Sequence, residues 1–473
     1  MREKQIRQIG WIVITVIIIP CQSFAESVTI HVDAGEMIGN VKPLMGVNAG
    51  PYKLGEDINP HVNEQYRDMG IRMVRTHDFY GPVDMSVMYS DESADPSLFS
   101  SYNFVESDKR MVAIHENGHE IYLRLGNSWN NSSETPKNIT NYVEAAKNVI
   151  RHYTQGLWDG FHFPIRYVEV WNEPDNRQFW TGTRIEFFQF FERMVKSLKA
   201  EFPHMKIGGP GFLPSSYLAQ ESNNTATSLL QYCSEQNVPL DFLSWHIYGD
   251  NPADYLGAGL FYREILDRFG YTDAESHISE WNVEEGPRRY NAEGAALMTG
   301  AWISLQNSFV DQSLFFRGQD SSIDYKEWYG LLFADGTYKK MAYAFKSWSW
   351  VSRYPNRITL NEESDAVDGI AALDEDGQAI IILLTHYMTD DSSDTIDTYQ
   401  LTIDGWIAPE GSFTLKRYAV SALHNLSLLE ETTIESVDSA LAISNRFPIN
   451  SIEVLMLDSS TETSTLHDWR MYR

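Results

Sequence analysis

The sequence predicts an α/β fold: a (β/α)8 TIM barrel with an accessory β-sandwich domain. Three observations carry this expectation. Eight strand-like runs recur before Trp350, most of them separated by helix-like runs. After Trp350 the texture changes to short strands broken by Gly, Asp and Ser turns. The chain has 473 residues, 43% of them hydrophobic, which suffices for one large barrel and a smaller domain with its own core.

Taken in order, the chain begins with Arg2, Lys4 and Arg7, a short apolar run from Trp11 to Ile19, and a small-x-small site at Ser23-Phe24-Ala25. Residues 1–25 therefore read as a signal peptide cleaved near Ala25, with an uncleaved anchor as the alternative. The apolar run is short for a bilayer span, so no membrane contact is expected after cleavage. Val28–Val32 is a strand, and residues 26–40 are expected to join the sandwich. The barrel is assigned to residues 41–350. Its strands are read at Leu44–Val47, Met73–Thr76, Ile121–Leu125, Tyr167–Trp171, Lys206–Gly208, Phe242–Trp245, His277–Ser279 and Ser313–Phe316. Between them, Thr135-Pro136 reads as N-cap and N1 of a helix that Gly156 ends, and Thr183 with Glu186 reads as a capping box. Residues 351–473 form the sandwich, with strands at Ile370–Leu373, Ala379–Leu384, Tyr399–Ile403, Phe413–Tyr418 and Ile452–Leu457.

Cys21 and Cys233 are the two cysteines, and Cys21 leaves with the leader, so no intrachain disulfide forms. An exported chain without disulfides fits a bacterial periplasm or exterior. The formal charge is -28, and losing three bases and one acid with the leader makes it -30. That excludes nucleic acid as a partner, because phosphate binding needs a cationic surface. Oligomeric state is left open.

Two motifs carry the chemistry. Tyr167-Val168-Glu169-Val170-Trp171-Asn172-Glu173-Pro174-Asp175 and His277-Ile278-Ser279-Glu280-Trp281-Asn282 are β-rich runs that end at a carboxylate, an amide and an indole. They fall on the fourth and seventh strand-like runs, at the strand ends where such barrels place their sites. A carboxyl that donates a proton and a carboxylate that attacks or stabilises a cation are what glycosidic bond cleavage requires. Aromatic residues make up 13%, which suits sugar stacking.

These motifs, with Phe179-Trp180, the run Asp241 to His246, and the run Gly330 to Gly336, resemble the clan of retaining glycosidases built on (β/α)8 barrels. The family most similar in appearance is glycoside hydrolase family 39, which holds β-xylosidases and α-L-iduronidases. The resemblance implies Glu173 as acid/base, Glu280 as nucleophile and Asn172 as a partner of the sugar 2-OH. It implies that Arg75 supports the nucleophile, that His77 contacts sugar hydroxyls, and that Tyr248, beside His246, donates to the nucleophile. Trp129, Trp180, Trp245, Trp281 and Trp328 are candidates to line subsites, a carbohydrate is the implied substrate, and no cofactor or metal is implied. Where family β-xylosidases carry a tryptophan-containing run, this chain has Phe315-Phe316-Arg317-Gly318-Gln319-Asp320. Arg317, with Arg288, Arg289 and Lys326, suggests a clamp for a uronate or sulfated galactan. Ordinary ion pairing and a neutral xyloside or galactoside are the alternative, and a non-catalytic carbohydrate-binding barrel is a further one.

One competing motif belongs to another chemistry. His115-Glu116-Asn117-Gly118-His119 matches the H-E-x-x-H zinc pattern, but Asn117-Gly118 is a helix stop that would separate the two histidines. Gly208-Gly209-Pro210-Gly211 lacks the residues of a phosphate loop and is expected to be a tight turn under the rim.

Overall fold

The computed structural model describes residues 26–51, 61–129, 135–218, 224–321, 327–388, 396–406, 412–435 and 441–458. The leader-like segment 1–25 and Lys326 lie outside the described residues. Eight parallel strands close into a barrel: β2 (Gly46–Asn48), β3 (Met73–Arg75), β4 (Glu120–Leu125), β5 (Tyr167–Val170), β6 (Lys206–Phe212), β7 (Phe242–Tyr248), β8 (Glu275–Asn282) and β9 (Val310–Phe315). Closure comes where Gly46 and Val47 of β2 pair with Leu314 and Phe315 of β9. The preceding strand, β1 (Glu26–Asn40), stands outside the barrel.

The helices between strands are set by short-range chemistry. Asn138, Asn224, Asn251 and Asn291 each accept a backbone N–H at the start of a helix, and Thr183 and Glu186 form the expected capping box. The first of these helices differs from its reading: it spans Ile139–Gln155 with Asn138 as N-cap, not Thr135. Gly156 ends it with φ 72°, a left-handed conformation that suits glycine.

The barrel interior is layered by the two-residue alternation of strands. Met73, Tyr122, Tyr167, Phe242 and Leu314 pack together as an apolar plug. One step along each strand the residues turn polar: Arg75, Arg124, Glu169 and Ser244, all fully buried. The site stands on that layer. Two local departures shape its rim. Gly208 to Gly211 lie inside β6, which runs on to Phe212, rather than in a turn after it. In β8 the pairing with β7 shifts between Trp245 and His246, leaving Ser279 as an extra residue. Such a bulge re-aims the next side chain, here Glu280.

The remaining strands form one sheet, in the order β15-β14-β17-β12-β11-β10-β1-β13-β16. They are β10 (Asn356–Glu362), β11 (Val367–Leu373), β12 (Ile380–His386), β13 (Ile396–Asp404), β14 (Ser412–Val420), β15 (Asn425–Glu435), β16 (Leu441–Arg446) and β17 (Ser451–Asp458). The sandwich is thus a single continuous sheet that curls on itself. Phe413 and Leu415 of β14 share one apolar core with Tyr399 and Leu401 of β13 from near the opposite end. β1 is an interior strand, third from one end of the sheet, antiparallel to β10 and parallel to β13. The other face, through Ile381, Leu383 and Val454, joins the core of the barrel domain. The helix Ala292–Gln306, buried along almost its whole length, lies between the two, and Thr385 Oγ1 donates to its Ala296 carbonyl at 2.9 Å. No helix among the described residues is long and apolar enough to cross a membrane.

Ile30 is fully buried in the sheet core, whereas Met37 on the same strand is 62% exposed. Ile30→Ala is expected to cost about 2–5 kcal/mol in urea unfolding. Met37→Ala is expected to stay within about 0.5 kcal/mol. Equal effects would contradict the interior placement of β1.

Candidate active site

The site is built around Arg75, whose guanidinium is fully buried at the end of β3. Nε donates to Glu169 Oε2 at 2.6 Å, Nη1 to Glu280 Oε1 at 2.7 Å and to Asn48 Oδ1 at 3.0 Å, and Nη2 to Asn172 Oδ1 at 2.6 Å. A planar fork of N–H donors on one group thereby ties together β2, β3, β5 and β8. The two carboxylates in contact raise its pKa against the opposing effect of burial.

Glu173 lies just past the end of β5 on a strained backbone. Trp171 and Glu173 both have left-handed φ, 80° and 46°, which residues with a Cβ rarely adopt. The conformation is held from below. Trp171 N–H donates to the Leu125 carbonyl at 2.8 Å, and Glu173 N–H donates to the carbonyls of Pro210 and Gly211 at 3.1 and 3.0 Å. The extended β6 supplies those last two acceptors. The Glu173 carboxyl has His246 Nδ1 2.8 Å from Oε1, and Asn176 Nδ2 donates to Oε2 at 2.9 Å. Burial pushes its pKa up to about 7, with the Asn176 amide opposing.

Glu280 faces it across the barrel mouth. Carboxylate oxygens of the two glutamates and a His246 nitrogen all lie within 4.8 Å of one another. Besides Arg75, Glu280 receives the Tyr248 hydroxyl on Oε2 at 3.0 Å, and His77 Nε2 lies 3.3 Å from Oε1. Burial raises its pKa, while His246 and Arg75 pull it down. Donors therefore converge on Glu280, among them a permanent cation, whereas Glu173 has an amide and a neutral imidazole. Burial lowers the pKa values of His77 and His246, so both rings are neutral at neutral pH, and it raises that of Tyr248, which stays a donor.

The sequence-expected residues divide into two groups. Glu173, Glu280, Asn172, Arg75, His77, His246 and Tyr248 come together in one cluster. Trp281 does not: it points away from the mouth, fully buried among Tyr255, Trp302 and Phe315. Glu280 and Trp281 are adjacent on a strand, so only one can face inward, and the carboxylate does. Trp180 and Trp245 are likewise core. Trp328 is partly buried beside Tyr329, which in turn packs edge-on to Tyr248 and Phe316. Trp129, one of the candidate indoles, is 53% exposed and edge-on to Phe179, and Phe179 and Phe316, each about 6 Å from His77, form aromatic walls with it.

The arginines are all engaged. Arg317 is buried, with Nη1 donating to Tyr80 OH at 2.7 Å and Nη2 to the Asp78 carbonyl at 3.0 Å. Arg288 pairs with Asp250 and Glu293, and Arg289 stacks 3.9 Å over Tyr329. The zinc-like motif is broken as expected: the helix Val105–Glu116 stops before Asn117, and His119 is buried with Nδ1 2.8 Å from the Ile71 carbonyl.

Reading the sequence missed Glu169, Asn48 and Ser244 as members of the site. Glu169 had a signal: it is a carboxylate at the inward position between Tyr167 and Trp171.

A family model described as Glycosyl hydrolases family 39 matches residues 34–266. The chain is a member of glycoside hydrolase family 39. It is 22% identical over 285 residues to a β-xylosidase of Geobacillus stearothermophilus, covering 52% of this chain and 54% of that one. It is 25% identical over 313 residues to the α-L-iduronidase of Homo sapiens, covering 59% and 46%. The chain thus spans about half the length of these curated relatives. Among solved structures, a glucosidase from Croceicoccus marinus superposes with a TM-score of 0.82 at 24% identity, covering 92% of this chain and all of that one. The fold shared with this family 39 chain is therefore the barrel and curled sheet together.

The raised pKa of Glu173 has a consequence for stability. Folded Glu173 holds its proton up to about pH 7, whereas the unfolded side chain loses it near 4.5. The penalty is absent below the lower value, grows between the two and is full above the upper. Glu173→Gln, which mimics the protonated form, is expected to stabilise the protein at pH 8 by on the order of 3 kcal/mol. The gain should vanish by about pH 4. Melting temperatures of the two proteins across this range check it, and a gain independent of pH would contradict the assignment.

Proposed function

We propose that this chain hydrolyses O-glycosidic bonds with retention of anomeric configuration. The observation that carries the reading is the spacing of the two glutamates, with oxygens within 4.8 Å of each other. Retaining enzymes hold their carboxyl groups about 5–5.5 Å apart, whereas inverting enzymes leave about 6.5–9.5 Å for a water.

In the first step Glu173, protonated below about pH 7, gives its proton to the leaving oxygen. Glu280 attacks the anomeric carbon, the glycosidic C–O bond breaks, and a glycosyl ester forms on Glu280. In the second step water attacks that carbon, its proton passes to Glu173, and the ester bond breaks to release the sugar. Arg75 and Tyr248 hold the Glu280 carboxylate in the attacking orientation. Because Asn172 Oδ1 is taken by Arg75, the amide N–H donors of Asn172 are the ones left for a sugar hydroxyl. Phe179, Phe316 and Trp129 supply flat apolar faces for the ring.

A neutral glycone is favoured over an anionic one. Arg317, Arg288 and Arg289 already have partners in the protein, and Asp78, Glu173 and Glu280 crowd the mouth with acid groups. An anionic sugar would have to displace Tyr80 or Asp250 to reach a guanidinium. The relatives are named for both classes, xylose and glucose on one side and iduronate on the other. We also place the enzyme outside the cytoplasm of a bacterium, because residues 1–25 have the composition of a cleaved leader. A mature N-terminus at Glu26 would support this, and a retained Met1 would overturn it.

The mechanism is tested with wild type, Glu173→Gln and Glu280→Gln on aryl xylosides, glucosides, galactosides and uronides and on sulfated polysaccharides. Wild type is expected to cleave neutral aryl glycosides, with activity falling as pH rises through about 7 while Glu173 loses its proton. Glu280→Gln should lose at least about 10³-fold in kcat/KM. Glu173→Gln should lose less on substrates with good leaving groups, which need little protonation. Turnover surviving in both variants would reject the pair, and cleavage restricted to uronides or sulfated polysaccharides would reject the neutral glycone.

A further inference from the structure

Beneath the two mouth carboxylates lies a third. Glu169, on β5 four residues before Glu173, is completely buried. Its Oε2 accepts from Arg75 Nε at 2.6 Å and its Oε1 from Ser244 Oγ at 2.6 Å. Ser244 Oγ accepts from the Gly211 N–H at 2.8 Å, and the Gly211 carbonyl is one of the two that hold the Glu173 backbone. Glu169 thus reaches Glu280 through Arg75 and reaches Glu173 through Ser244 and Gly211.

A counter-ion for Arg75 does not require it, since Glu280 already supplies one at 2.7 Å. Two buried carboxylates on one guanidinium leave an excess negative charge, which is costly unless it serves the chemistry. With one carboxylate alone, the full attraction of the guanidinium would fall on Glu280 and stabilise its lone pairs against attack. With two, that attraction is divided. Nε is also occupied, which fixes the plane of the fork so that Nη1 meets Glu280 and Nη2 meets Asn172.

We propose that Glu169 is a positioning residue that divides the charge of Arg75 between two carboxylates, orienting Glu280 while keeping it nucleophilic. This rests on Glu280 being the nucleophile. The groups facing Glu280 are Arg75, His77 and Asp78 at and after β3, His246 and Tyr248 on β7, and Glu173 after β5. Those facing Glu169 are Arg75, Tyr122 on β4 and His246. Burial raises the pKa of both phenols and lowers that of both histidines, and Glu173 titrates at about 7. The acid limb of the rate profile is assigned to Glu280, whose pKa is also raised by the charges of Glu173 and buried Asp78.

The test is the pH profile of kcat/KM for full-length wild type, Glu169→Gln and Glu169→Asp on the best aryl glycoside of the panel above, with folding checked by circular dichroism. Glu169→Gln returns the whole guanidinium charge to Glu280, so the acid limb should move down by about one pH unit and kcat should fall at least tenfold. Glu169→Asp, which keeps the charge but withdraws it by one methylene, should move the limb the same way by less, and it carries the test if the glutamine variant does not fold. A limb that stays in place or moves up, with activity lost evenly at all pH, would make Glu169 a structural residue only and overturn the proposal. The underlying reading is checked apart from this: Glu280→Gly with azide should form the glycosyl azide of inverted configuration. Absence of that adduct would remove Glu280 as nucleophile whatever the limb does.

Discussion

One buried cation organises this site. Arg75 has no contact with solvent, so every N–H of its guanidinium must find an acceptor inside the barrel. The acceptors come from β2, β5, the loop after β5, and β8. A charge buried with this much pairing cannot move without leaving two carboxylates uncompensated, so the guanidinium is a fixed reference against which the glutamates are held. The same attraction acts unequally on two acids a few ångströms apart. Glu280 touches the cation, which pulls its pKa down against burial, whereas Glu173 has no such contact and burial pushes it up to about 7.

The barrel serves this arrangement by layering. The apolar plug of Met73, Tyr122, Tyr167, Phe242 and Leu314 closes one end, and the polar layer rests on it. Two distortions then adjust the rim. The Ser279 bulge turns Glu280 inward, and the continuation of β6 to Phe212 brings the carbonyls that pin the strained Glu173 backbone. Strain of this kind persists only where the surroundings over-determine it. Here the Leu125, Pro210 and Gly211 carbonyls do so. The curled sheet covers the helix Ala292–Gln306, which follows the strand carrying Glu280.

Much of this was legible in the sequence because local patterns drive it. Each of the eight strand-like runs overlaps a barrel strand, and the capping box at Thr183 forms as written. The two glutamates, their neighbouring asparagine and the partners Arg75, His77, His246 and Tyr248 all lie near or just past strand ends, where barrels of this kind gather their site residues. What failed depended on phase or on distant partners. Trp281 was expected at the site although it neighbours Glu280 on one strand, where alternation lets only one of the two face inward. The partners of the expected cationic clamp were not legible, because Arg317 and Arg288 meet Tyr80, Asp78 and Asp250, which sequence separation hides. Glu169 was overlooked because a buried acid in a strand resembles a surface residue until the arginine from another strand is seen beside it.

The most direct measurement is the configuration of the sugar at the moment of release, followed by proton NMR during the first minutes of hydrolysis of an aryl glycoside. With an oxygen of each glutamate within 4.8 Å of the other, the pair fits the short spacing of retaining enzymes, so the first-formed hemiacetal should carry the anomeric configuration of the substrate. A first product of opposite configuration would mean that water attacks directly, and that the carboxylate held by Arg75 is a base and not a nucleophile.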